Sequence, residues 1–124
     1  MTLAGRLDLW LPPVALMGLI FFLSAQPDLS SGLGAWDVLL RKLAHASVYA
    51  VLTVLWWRAL RDVHPTHPRP GHRPLAAAWL IAIAYSATDE WHQTFVAGRH
   101  GTPLDVLIDA GGASAAALWA LRRG

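Results

Sequence analysis

Cysteine is absent from this 124-residue chain, which excludes disulfides, thiolate nucleophiles and cysteine-based zinc sites and leaves the redox compartment open. Charge is scarce too: 15% of residues are Asp, Glu, Lys or Arg, and the formal net charge is +2. No basic stripe interleaved with exposed aromatics occurs, so nucleic acid is not expected as a partner. Phenylalanine and methionine number three and two, whereas tryptophan occurs seven times. Indole is apolar in body but keeps one N–H that favours the lipid headgroup region. Trp10, Trp36, Trp57, Trp79, Trp91 and Trp119 fall toward the ends of apolar stretches and are expected to be interfacial anchors. With 55% apolar residues and a mean hydropathy of +0.39, the composition lies above the ordinary soluble range and predicts one compact membrane domain over residues 1–124.

Four apolar segments predict an all-α, four-helix transmembrane bundle. They run from about Leu9 to Ala25, Lys42 to Leu60, Pro74 to Phe95 and Leu104 to Leu121. The first is near the lower limit for crossing a hydrocarbon core about 30 Å thick, with Pro12 and Pro13 expected in its first turn, where a missing N–H is harmless. Arg6 before the apolar run is also what a signal peptide has. The residues before Gln26 make a poor small-residue cleavage site, so an uncleaved helix is expected.

With odd loops outside, Arg6, Arg58, Arg61, Arg69, Arg73, Arg122 and Arg123 fall inside, against Arg41, Lys42 and Arg99 outside. That bias predicts both termini in the cytoplasm and a multi-pass protein of the bacterial inner membrane. The Pro-rich connection RDVHPTHPRPGHRP stops a helix on each side. Its His64, His67 and His72 match no closed zinc spacing and are expected to be solvated linker residues. Neither hairpin pair is read as an internal repeat.

The polar residues of the helices are not scattered. Lys42, His45 and Tyr49 follow one another at i, i+3 and i+7, along one helical stripe. Asp89, His92 and Gln93 share a face at the end of the third segment, with Glu90 about a third of a turn away. Asp105 and Asp109, at i and i+4, open the fourth segment after Arg99. All of these belong to one end of the bundle. An ionisable side chain at a helix centre costs on the order of 3 kcal/mol on insertion scales, so such groups need partners. Lys42 and Arg99 do not balance Asp89, Glu90, Asp105 and Asp109, and the surplus leaves room for a cationic group, a metal or a shared proton. A salt-bridge network holding the helices together is the structural alternative, but Gly112, Ala116 and Ala120 already supply a small-residue ridge for packing.

The string YSATDEWHQTFVAGRHGTPLDVLIDAGGA, from Tyr85 to Ala113, resembles the signature of the VanZ-like family, with its Asp-Glu-x-x-Gln core, Gly-Arg turn and following Asp. RKLAHASVYAVL, from Arg41 to Leu52, is similar to that family's Lys-x-x-His-x-x-x-Tyr element, and FFLSAQP, from Phe21 to Pro27, to its Ser-x-Gln segment. The three motifs stand in order over nearly the whole chain. Asp109 departs from the pattern, since many members carry Asn there. The resemblance implies a four-helix bacterial membrane protein, from a family whose founding member is associated with low-level teicoplanin resistance. It implies no settled biochemical activity.

The leading expectation is a cell-envelope protein whose outward pocket binds the headgroup of a membrane lipid or lipid-linked cell-wall precursor and so modulates glycopeptide susceptibility. Its ligand-binding residues are Lys42, His45, Tyr49, Asp89, Glu90, His92, Gln93, Arg99, Asp105 and Asp109. Lys42 and Arg99 would meet phosphate or carboxylate oxygens, while Gln93 and Tyr49 would bond sugar or peptide groups. The alternative is a membrane-embedded hydrolase or transferase with His45 or His92 as base, Asp89 or Glu90 orienting it, and Ser24 as a conceivable nucleophile. A metal variant would draw on His45, His92 and one or two of Asp89, Glu90, Asp105 and Asp109. DEWHQ is not the zinc-protease helix, however, and neither cofactor nor metal is expected. A proton-coupled transporter is disfavoured by four short helices without a repeat. Homo-oligomerisation is left open.

Overall fold

The computed structural model describes residues 2–24, 35–62, 72–95 and 103–123. They form four helices in order: α1 (Leu3–Ser24), α2 (Ala35–Arg61), α3 (His72–Gln93) and α4 (Pro103–Arg123). No strand occurs among the described residues. Three stretches, Leu3–Leu23, Leu39–Arg61 and Pro103–Arg123, are long and apolar enough to cross a membrane. In α3 the run ends in Asp89, Glu90, His92 and Gln93, and three of these four are buried against the other helices.

Helix ends differ from the expected bounds most at the N-termini. α1 starts at Leu3 rather than near Leu9. Thr2 caps it, its hydroxyl accepting from the Gly5 N–H at 3.1 Å, so polar residues before the apolar run are already helical. Pro12 and Pro13 therefore lie inside the helix, not in its first turn. Each removes one ladder bond, which a membrane helix tolerates when neighbouring groups cover the freed carbonyls, and Pro13 is among the fully buried side chains. Likewise α2 starts at Ala35, so Lys42 lies about two turns inside it instead of opening it. Nothing between Ala35 and Arg61 breaks a helix, because neither glycine nor proline occurs there.

Cross-helix contacts fix an up-down-up-down order. Asp8 on α1 meets Arg58 near the end of α2, with the guanidinium donating at 2.6 Å, and Trp10 meets Trp56 edge to face at 5.4 Å. Trp79 on α3 donates its indole N–H to Ser114 on α4 at 2.9 Å, and Tyr85 donates to the Met17 carbonyl on α1 at 2.5 Å. One end of the bundle thus carries the start of α1 and the end of α4 with Arg58, Arg61, Arg73, Arg122 and Arg123; the other carries the polar residues of α2, α3 and α4. α2, α3 and α4 pack mutually, while α1 lies on α2 and α3 without touching α4.

Small side chains make this packing close. Asp109, Ala113, Ala116 and Ala120 form the buried stripe of α4. Ala59, Ala78 and Ala82 have no exposed surface. Gly112 sits against the Ala46 backbone of α2, and a Cβ there would overlap the Ala46 carbonyl. Such backbone contact is the usual means of holding helices together where lipid gives no hydrophobic drive between them. The tryptophans divide. Trp91 and Trp119 are exposed, as interfacial anchors are, but Trp56 and Trp57 are core residues. Trp57 lies beneath the Arg61 guanidinium, 4.4 Å from its ring centre, so the basic end of α2 covers it. The side chain of Trp36, with His64 and His67, lies outside the described residues.

Candidate functional site

Three helices supply the site because each carries polar residues on the stripe it turns to the other two. On α2, Lys42, His45 and Tyr49 descend along one face over about 10 Å. On α4, Asp105 and Asp109 descend beside them, since α2 and α4 run parallel from the Lys42 end. The pairs form level by level. Lys42 Nζ meets Asp105 Oδ1 at the mouth; below, His45 Nδ1 lies 3.6 Å from Asp109 Oδ1. The Gly112 contact with Ala46 brings the two backbones close enough for both.

α3 runs the other way and closes the third side. Asp89, Glu90 and Gln93 are buried, with 1%, 5% and 6% of their surfaces exposed. Tyr49 donates toward Asp89 Oδ2 at 3.5 Å, the outer limit of a hydrogen bond. Ser86 donates to Asp109 Oδ2 at 2.8 Å, so Asp109 has one oxygen turned to α3 and the other to His45. At the floor the Thr53 hydroxyl donates to the Tyr49 carbonyl at 2.9 Å and seals the polar stripe against the apolar core. Along α4 exposure falls from 21% for the Asp105 side chain to 1% for Asp109, whereas on α2 Lys42 and His45 keep 36% and 35% and only Tyr49 below them is buried.

Of the residues singled out in the sequence, the structure gathers Lys42, His45, Tyr49, Asp89, Glu90, Gln93, Asp105 and Asp109. His92 it sets apart. Its ring stacks on Phe21 of α1, with centres 4.5 Å apart. At 100° per residue, the inward sector of α3 runs from Asp89 through Gln93 to Glu90, and His92 falls on the opposite flank of Asp89. Glu90 therefore takes the interior place expected of His92. Arg99 lies outside the described residues, as does the side chain of Ser24. Ser86 was not anticipated; its signal was its place one turn before Asp89 and Glu90, on the face those residues share.

One subset has the composition of a metal site. His45, Asp89 and Glu90 each offer a ligand atom, and these atoms lie within 4.8 Å of one another. Glu90 Oε2 is buried and has no hydrogen-bond partner among the described residues. The arrangement thus pairs a half-exposed Lys42–Asp105 ion pair with buried carboxylates further in. Chemically it offers ammonium donors at the outer level and carboxylate and amide acceptors below.

In comparisons with known proteins, a family model described as VanZ/LLP1 matches residues 9–122. No curated protein and no solved structure matches the chain.

Proposed function

The chain belongs to the VanZ/LLP1 family, and from that premise we propose that it is an envelope protein of the bacterial inner membrane whose pocket binds the headgroup of a lipid or lipid-linked cell-wall precursor. Both termini face the cytoplasm and the pocket faces outward, a reading that rests on the arginines grouped at the opposite end of the bundle. The observation that carries it is the gradient from Lys42 and Asp105, open at the mouth, to Asp89, Glu90 and Asp109, buried below. Buried carboxylates in lipid are costly to hold and mark ligand or ion pathways when they line a cavity. One Lys42 proton is engaged by Asp105, which leaves the ammonium two donors for an anionic oxygen. Arg99, which lies outside the described residues, is assigned to the same pocket by its place in the sequence, as a bidentate donor. Asp89, Glu90 and Gln93 take the amine, hydroxyl or amide groups that follow. Occupying a precursor in this way changes its availability to a glycopeptide.

Native mass spectrometry with lipid extraction tests this on the gently purified protein. A lipid held by the wild type and lost from Lys42→Ala and Arg99→Ala, both remaining monodisperse, is the expected result. If both variants lose monodispersity and keep the wild-type lipid per folded molecule, the charges serve packing and the reading fails.

A second reading, a lipid-directed hydrolase or transferase, draws support from the Asp109–His45 contact, which is how a carboxylate orients a general base. On that reading His45→Ala abolishes turnover of a lipid phosphate and His92→Ala does not.

A further inference from the structure

We propose that His45, Asp89 and Glu90 bind one divalent transition-metal ion, Zn²⁺ or Mn²⁺, in the interior of the pocket. Three features combine. Ligand atoms from all three side chains already lie within 4.8 Å of one another, a little wider than the span of about 4.2 Å between ligands on opposite sides of one ion, so small side-chain rotations close them on a single ion. Glu90 is 5% exposed, and its carboxylate, which joins that cluster through one oxygen, has a buried Oε2 with no hydrogen-bond partner among the described residues. A carboxylate oxygen left so in a membrane interior carries a large desolvation cost that a cation removes.

The third feature is the surrounding shell. Asp109 Oδ1 approaches His45 Nδ1 at 3.6 Å, and its other oxygen accepts from Ser86 at 2.8 Å. A carboxylate behind a histidine fixes the tautomer in which the proton is on Nδ1 and the lone pair on Nε2, and raises the basicity of that lone pair. Tyr49 reaches Asp89 from below in the same supporting role. An imidazole beside two carboxylates suits zinc or manganese better than calcium or magnesium, which prefer all-oxygen cages. Three protein ligands leave coordination positions open toward the mouth. That such positions receive a headgroup oxygen rests on the function proposed above; the metal site itself does not.

The test uses the untagged full chain, stripped by chelator, in detergent without added lipid, on a background with His64, His67 and His72 changed to Gln. Mn²⁺ alone is titrated and read by electron paramagnetic resonance, then Zn²⁺ by competition. One equivalent is expected. Glu90→Gln and His45→Gln lower the affinity at least about 100-fold, and Asp109→Asn lowers it about 10- to 100-fold as an outer-shell change. Labelling histidine with ¹⁵N reads the site in the background protein itself, where coupling of bound Mn²⁺ to one imidazole nitrogen is expected even if a variant fails to fold. Failure of the background protein to bind, unchanged affinity in a folded Glu90→Gln variant, or no nitrogen coupling overturns the site. Since lipid plays no part, loss of the headgroup reading leaves this result untouched.

Discussion

The two ends of this bundle are built from the same four helices but by different means. At the arginine end, packing is done by Ala59, Ala78 and Ala120 with Trp56, Trp57 and Leu75, and the charges stay at the surface, as in the Asp8–Arg58 pair. At the other end the same helices bury Asp89, Glu90 and Asp109 among Tyr49, Ser86 and Gln93. Close helix contact needs only the first kind of interior. The second is costlier in lipid, a cost that the proposed binding function would account for, with Gly112 and the alanines of α4 supplying close packing around it.

The largest effect expected is at the hinge between the two regions. Gly112→Leu drives a side chain into the Ala46 backbone and destabilises the protein by about 3 kcal/mol, seen as loss of the monodisperse species and early unfolding in a denaturing detergent titration. A mild effect there would mean that both ends pack more loosely than described. Next comes Asp109→Ala, which strips Ser86 of its buried acceptor and His45 of its carboxylate neighbour and costs about 2 kcal/mol in the same titration. Glu90→Gln sharpens the comparison because its sign differs: replacing a buried charge that has an unpartnered oxygen raises stability by about 1 kcal/mol. A fall of that size instead would place Glu90 in a structural network like the one at the other end. Smallest is Arg58→Ala, an exposed pair worth at most about 0.5 kcal/mol, with no change in lipid or metal retention.

Helix number and the gathering of most of the helices' polar residues at one end were readable because periodicity reports faces directly. Lys42, His45 and Tyr49 could lie on one stripe only, and the i, i+4 pair of α4 had to descend with them. What periodicity does not report is which flank of a stripe a third helix will cover. His92 and Glu90 lie about equally far from the Asp89–Gln93 face, on its two sides, and the docking of α1 onto α3 decides that His92 stacks on Phe21 while Glu90 goes inward. Helix starts depart from the apolar boundaries for a related reason: the cap at Thr2 and the unbroken stretch after Ala35 obey backbone bonding, not hydropathy. Trp57 stands near a segment end, as an anchor does, but it is buried in the core beneath the Arg61 side chain one turn on.

The approach of Gly112 to Ala46 also sets a lever. Ala46 adjoins His45, and Lys42 lies about 6 Å along the α2 axis from it, whereas Arg58 lies about 18 Å away in the other direction. If α2 and α4 scissor about their nearest point, a given rotation displaces the arginine end about three times as far as Lys42 and scarcely moves His45 against Asp109. Tilting forced by a thinner or thicker bilayer is therefore spent on the arginine-bearing rim, and the spacing of His45 and Asp109 stays at the fulcrum, where the arms are shortest.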